Sequence, residues 1–202
     1  MSNITQIRFC GYGGQGVVLA GTILGHAAIN DDKWVAGSNS YGAQARGGSA
    51  RSEVVIAKNP IIYPHVIQVD ILIAMSQTAY DQYIEDLVEQ DALVLYDDMI
   101  VHPRDIHGVQ QIGVPATKLS IDEFNNKQVA NIVMLGASVV ITEIVSKKSL
   151  ILSIKTNVDQ RFRELNIKAL HAGFTLAKKL NTRNSTNSIN TRNHHGGRRK
   201  NP

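Results

Sequence analysis

Cysteine is almost missing from this chain: Cys10 is the single one in 202 residues. A disulfide within the chain is therefore excluded, and so is an iron–sulfur cluster held by this chain alone, which would take about four thiolates. Long apolar runs are also lacking. The longest are about a dozen residues and are interrupted by Gly, Asn or Glu, well short of the roughly 20 needed to cross a bilayer. The polar opening MSNITQIRF holds no apolar signal region. The expectation is a cytoplasmic protein that does not associate with membranes. What the chain does have, 43% hydrophobic and 19% charged residues, is enough for one packed domain that buries roughly 70% of its unfolded surface.

Acidic residues are absent from the last part of the sequence, and this changes the meaning of the net charge. The whole chain carries +4. Residues 181–202 alone hold Arg183, Arg192, Arg198, Arg199 and Lys200 with no acid, so their +5 exceeds the total and leaves residues 1–180 at −1. The folded part is close to neutral and no nucleic-acid partner is expected for it. Ile189 is the only large apolar residue of the tail. That is too little apolar surface to offset the entropy of ordering it, so residues 181–202 read as a disordered basic tail on a domain of residues 1–180.

Hydrophobic patterning along the domain indicates alternating strands and helices. A β-type run over 7–10 ends on Gly11, and an Ala- and Leu-rich helix follows over 17–30. Residues 34–36 form a short strand, and the polar, glycine-rich stretch 37–49 shows no periodicity and reads as a loop. Strands over 53–57 and 61–63 flank Lys58-Asn59-Pro60 and suggest an antiparallel hairpin. The continuous apolar runs 69–75 and 92–96 are buried strands on either side of a helix over 77–90. A weaker strand over 110–114 is followed by helices over 129–144 and 159–180. The fold class is α/β: a three-layer sandwich with a Rossmann-like, mostly parallel sheet plus an antiparallel hairpin.

Between the first strand and the first helix stands Gly11-Tyr12-Gly13-Gly14-Gln15-Gly16, which fits G-x-G-x-x-G. Such a turn lets a ligand approach the backbone, and the helix N-terminus offers amide donors and partial positive charge to a phosphate. The alternative is a tight turn whose Gly16, with Gly21 and Gly25, only lets the helix lie close to the sheet. An NAD site would place an acid after the second strand, yet Gly37-Ser38-Asn39-Ser40 stands there, and Asp31-Asp32 precede that strand. A second polar segment, Ser40-Tyr41-Gly42-Ala43-Gln44-Ala45-Arg46-Gly47-Gly48-Ser49, should lie beside the glycine turn. Arg46 there could hold a phosphate or carboxylate bidentately, or be a solvated loop residue.

The combination of GYGGQGVVLAG (11–21), SYGAQARGGSARSEVVI (40–56), Tyr63-Pro64 and DILIAMS (70–76) resembles the gamma subunit of 2-oxoacid:ferredoxin oxidoreductases, of the pyruvate/ketoisovalerate oxidoreductase type. Asn131, Met134-Leu135-Gly136-Ala137, Asn166-Ile167-Lys168-Ala169 and Gly173 extend the resemblance, which covers residues 5–180 and is most like the 2-oxoglutarate branch. It implies a complex that decarboxylates a 2-oxoacid on thiamine diphosphate, passes electrons through iron–sulfur clusters to ferredoxin, and releases an acyl-CoA. Thiamine diphosphate, Mg and the clusters would sit on alpha, beta and ferredoxin-like delta partner subunits, since this chain has neither the cysteines nor a thiamine-type Gly-Asp-Gly motif. The resemblance assigns this chain no catalytic residue and no metal. It implies help in receiving coenzyme A, with Gly11, Gly13, Gly14, Gln15, Gly16, Ser40, Tyr41, Arg46, Gly47 and Gly48 as the contact residues.

Other readings stay open at this point. The glycine motif alone suits a free-standing NAD(P)-dependent oxidoreductase, and the isolated chain could pair with a second copy of itself. Asp97-Asp98 with His102 and His107 offer oxygen and nitrogen ligands, although a solvated turn explains them as well. His26 and His171 read as packed or surface residues. Cys10, at a strand end, reads as a small hydrophobe, with a reactive thiolate near a helix N-terminus as the alternative.

Overall fold

The computed structural model describes residues 4–41, 48–87 and 92–193. Six strands form one sheet in the order β2-β3-β1-β4-β5-β6. β1 (Ile4–Tyr12) lies at its centre, parallel to β4 (Ile71–Ala74) and antiparallel to β3 (Ser49–Ala57). β4, β5 (Leu93–Asp97) and β6 (Gln110–Val114) continue the parallel half. β2 (Trp34–Tyr41) closes the other edge, antiparallel to β3. The α/β class with a three-layer arrangement is thus observed.

Alternation along β1 sorts its side chains between two cores. Ile7 and Phe9 point to the larger one, shared with α1 (Val17–Asn30), α4 (Ala130–Thr142), α5 (Lys147–Asn157) and α6 (Gln160–Asn193). Cys10, with Leu72, Ala74 and Val94 from the neighbouring strands, points to the smaller one, covered by Ala79, Tyr80 and Tyr83 of α2 (Gln77–Tyr83). α4 is buried from Ala130 to Val139 without a polar face, as expected of a helix enclosed on every side. Its crossing with α6 is backbone-close: a Cβ added at Gly173 would stand 2.2 Å from the Val133 carbonyl oxygen, so only glycine fits there.

Several elements differ from their sequence-based expectation. The antiparallel hairpin is β2–β3, and residues 61–63 form no strand. Residues 37–41, expected in a loop, belong to β2. As an edge strand that is polar or glycine at most positions, it shows no hydrophobic alternation. The helix expected over 77–90 ends at Tyr83 and passes into a 3-10 turn, Ile84–Asp86. Arg8 fixes that turn: its Nη1 pairs with Asp86, and its guanidinium stacks 4.8 Å from the centre of the Tyr83 ring. α3 (Ala116–Phe124) and α5 were not expected, because both are short and carry polar residues at more than half of their positions. α6 runs on to Asn193, past the boundary drawn after residue 180, and residues 194–202 lie outside the described residues.

Asp31, at the C-terminal end of α1, joins α1 to α5. Its carboxylate accepts hydrogen bonds from the Ser146 amide (2.5 Å), the Ser146 hydroxyl (2.8 Å) and the Ser149 hydroxyl (2.5 Å). Burial alone would raise this carboxyl, but these donors and the nearby Lys33 charge outweigh it and hold its pKa below the ordinary value. A carboxylate lowered by folding contributes stability above its unfolded pKa of about 3.9 and loses that contribution as the pH falls through the folded value. Asp31→Asn should therefore cost about 1 kcal/mol at pH 7. The gap from the unsubstituted protein, read by urea denaturation, should close as the pH drops below about 4. A gap that stays constant down to pH 2 would contradict this role.

Candidate functional site

β1 leads into α1 on one face of the sheet, while the adjacent parallel strand β4 leads into α2 on the other. The crevice between the ends of two such strands is where open α/β sheets take ligands. Here the crevice is occupied by the protein itself. Gln15 folds back into it, accepting from the Tyr12 amide (2.6 Å) and donating to the Met75 carbonyl (2.7 Å). The Gly13 amide donates to the Gly48 carbonyl (2.8 Å), and the Gln15 amide to the Tyr12 carbonyl (3.1 Å). Three donors of the glycine turn are thus already used, whereas the amides of Gly14 and Gly16 have no acceptor among the described residues.

Gly16 is the N-cap of α1 at φ 72 and ψ 22, a left-handed conformation that an L side chain adopts only with strain, and no side chain caps this helix. Its carbonyl accepts from Asn131 Nδ2 at 2.9 Å, which pins the first turn of α4 to the first turn of α1. Asn131 is 4% exposed, and its Oδ1 has no hydrogen-bond partner among the described residues.

Beside this joint opens a cavity of about 350 Å³. Gly13, Gly14 and Gln15 form one wall, with Met75, Ile100 and Thr117 beyond them. Lys127, Gln128 and Ala130 form the opposite wall, where a 3-10 turn, Lys127–Val129, enters α4. Thr117 is held by Asp97, whose Oδ2 accepts from the Thr117 amide (2.9 Å) and hydroxyl (2.6 Å) and so caps α3. Burial raises the Asp97 carboxyl despite these hydrogen bonds.

Of the residues expected to meet a ligand, Gly13, Gly14 and Gln15 line the cavity, and Gly48 is brought against the turn as expected. Gly11 pairs with Ala50 within the sheet, and Gly16 backs the cavity as the α1 cap. Ser40 and Tyr41 lie two strands away on β2, opposite Arg51 and Ala50, and do not line it. Arg46 and Gly47 fall outside the described residues. The reading from sequence missed Lys127, Gln128 and Thr117. One local signal was available: Asn126 ahead of an apolar helix, whose side chain accepts from the Gln128 amide at 2.9 Å and caps that turn.

The weaker candidates resolve as structural. Asp97 is committed to α3 and to the Met99 amide, the His102 amide donates to Gln77, and no cluster able to hold a metal exists among the described residues. Burial pushes the Cys10 thiol up to about 12, against a smaller lowering by Arg8, which fits a small hydrophobe and opposes a thiolate. Arg8 itself, unnoticed in the sequence, is 6% exposed and donates twice to Glu53, at 2.9 and 2.7 Å. The dinucleotide reading also loses its frame. The strand beside β1 on the α1 side is the antiparallel β3, so no second parallel strand ends there to carry a ribose-binding acid. Asp31 is committed to α5.

A fold with this glycine turn and the cavity beside it has clear relatives. The family model described as "Pyruvate ferredoxin/flavodoxin oxidoreductase" matches residues 6–176, and the chain belongs to that family. It is similar to the 2-oxoglutarate synthase subunit KorC of Methanocaldococcus jannaschii, 42% identical over 177 residues that cover 87% of this chain and 95% of that one. The KorC protein of Methanothermobacter thermautotrophicus is 40% identical over 83% of this chain and 92% of its own length. Among solved structures, a keto/oxoacid ferredoxin oxidoreductase gamma subunit from Geobacter sulfurreducens superposes with a TM-score of 0.79 at 37% identity, covering 89% of this chain and 99% of that one.

The Asn131–Gly16 joint can be tested by charge. Asn131→Asp would place a buried carboxylate against the Gly16 carbonyl, acceptor facing acceptor, at a cost of roughly 3 kcal/mol at pH 7. Burial would raise that carboxyl. The penalty should therefore be smallest below about pH 4, where the protonated acid can donate to Gly16, and grow as the pH rises. Urea denaturation of both proteins at pH 4 and pH 7 measures this, and an equal loss at both would contradict the proposed contact.

Proposed function

We infer that this chain is the gamma-type subunit of a 2-oxoglutarate:ferredoxin oxidoreductase. In that reaction 2-oxoglutarate is decarboxylated and its acyl group joined to CoA as succinyl-CoA, with release of CO2 and transfer of the electrons to ferredoxin. The observation that carries this reading is the match to relatives named 2-oxoglutarate synthase subunit over nearly the full length of both chains. One family model also spans the glycine turn, the 40–56 segment and α4 together. Thiamine diphosphate, Mg and the iron–sulfur clusters belong in this reading to alpha, beta and delta partners in a cytoplasmic complex. A chain whose one cysteine lies inside a hydrophobic cluster is not suited to hold a cluster. Residues 1–180 are the part that performs this role, and residues 181–202 are an appended basic segment.

The contribution of this chain is to receive CoA. The free amides of Gly14 and Gly16 at the uncapped N-terminus of α1 suit a phosphate oxygen. Arg46 adds a cation from the segment that ends at Gly48, whose carbonyl rests on Gly13. Gln15 keeps the crevice between β1 and β4 closed and so directs the ligand to the outer side of the turn.

Arg46→Ala in the reconstituted complex should raise the KM for CoA tenfold to a hundredfold through loss of a charged hydrogen bond, a cost of roughly 1.5–3 kcal/mol. The half-reaction with 2-oxoglutarate alone, followed by dye reduction, should be nearly unchanged. Normal CoA dependence would move the segment from ligand binding to subunit packing. Equal loss in both half-reactions would point to damaged assembly.

A further inference from the structure

Among the described residues that line the cavity between the glycine turn and α4, Lys127 is the one ionisable side chain. It is exposed and has no carboxylate partner among the described residues, whereas the nearest lysine in sequence, Lys118, is paired with Asp122 at 2.7 Å. The N-termini of three helices, α1, α3 and α4, meet at the same cavity. Gly16 caps α1 without a side chain, Thr117 in the first turn of α3 lines the wall, and Ala130 begins α4. The positive ends of their dipoles therefore reinforce the lysine. Asp97, which holds Thr117 of the wall, is fully buried and satisfied by the amide and hydroxyl of Thr117 and the Met99 amide, and it does not line the cavity. Asn131 Oδ1, enclosed between α1 and α4 and without a partner among the described residues, is a second polar feature of this joint.

We propose that this cavity binds a phosphomonoester, with Lys127 as its cation and Gln128 as a neutral hydrogen-bonding neighbour. A single lysine is a point charge suited to a terminal phosphate, in contrast to the bidentate fork that arginine offers. About 350 Å³ accommodates one part of a large ligand and not its whole length. The proposal rests on the CoA reading above, and within it the phosphomonoester is the 3′-phosphate of the adenosine moiety. Lys127 then acts as a specificity residue that separates CoA from molecules lacking this group, while the turn amides act on the diphosphate shared by both.

The test compares CoA with dephospho-CoA in the reconstituted complex, reading KM for each in the unsubstituted enzyme, Lys127→Ala and Lys127→Arg. The unsubstituted enzyme should prefer CoA by tenfold or more. Lys127→Ala should raise KM for CoA about tenfold while leaving KM for dephospho-CoA and kcat with saturating acceptor nearly unchanged, so that the preference collapses. Lys127→Arg should restore most of it. Adenosine 3′,5′-bisphosphate should compete with CoA in the unsubstituted enzyme at least tenfold better than AMP, and lose that advantage in Lys127→Ala. Equal losses for CoA and dephospho-CoA would overturn the assignment to the 3′-phosphate, and so would the absence of any preference in the unsubstituted enzyme. If Arg46→Ala weakens CoA and Lys127→Ala does not, this site is wrong while the CoA reading stands. If neither substitution alters KM for CoA, both fall.

Discussion

The hydrogen bond from Asn131 to the Gly16 carbonyl is the contact on which the geometry of the site depends. Gly16 is both the last residue of the glycine turn and the cap of α1, and Asn131 stands in the first turn of α4. One bond of 2.9 Å therefore sets the distance between two helix N-termini and the width of the cavity beside them. No other residue would serve as well at position 16. The left-handed backbone favours glycine, and a Cβ would stand 2.3 Å from Asn131 Nδ2. The G-x-G-x-x-G pattern here is thus shaped by a neighbouring helix as much as by a ligand.

Packing fixes that relationship from behind. α4 can be buried on all sides because the sheet lies on one side of it and α6 on another, with the Gly136–Gly173 crossing bringing the two backbones together. Overpacking such a crossing costs typically 1–3 kcal/mol. On the opposite face, Arg8 converts what would be a costly buried charge into a brace. It joins β1 to β3 through Glu53 and to the turn after α2 through Asp86 and Tyr83. A buried arginine without such partners would be expelled or would unfold its strand. The two halves of the molecule thus hold the turn after β1 between a rigid helical layer and a charged lock.

Much of this was legible in the amino-acid sequence, and the exceptions have physical reasons. Strands buried on both faces, such as Ile71–Ala74, announce themselves as continuous apolar runs. The strand–glycine–helix unit of residues 4–30 was equally plain, and the resemblance of the glycine and RGG segments led to the right family. The edge strand β2 was not legible, because Gly37, Ser38, Asn39 and Ser40 gain their extended conformation from pairing with β3 and not from any pattern of their own. Lys127 escaped notice for a related reason. Only the return of the chain after α3 carries it to the glycine turn, more than 100 residues away in sequence, and the one local signal, the Asn126 cap, announces a helix start and not a cavity.

The central claim is that this subunit meets CoA with the first turns of α1 and α4. Amide hydrogen exchange on the assembled complex, followed by mass spectrometry with and without CoA, tests it most directly. Free amides at a helix start and a short 3-10 turn exchange readily until a ligand covers them. Saturating CoA should slow exchange over residues 13–18 and 127–131, while 2-oxoglutarate alone should leave both segments as they were. Protection by CoA that appears only on other subunits, with these two segments unchanged, would contradict the account.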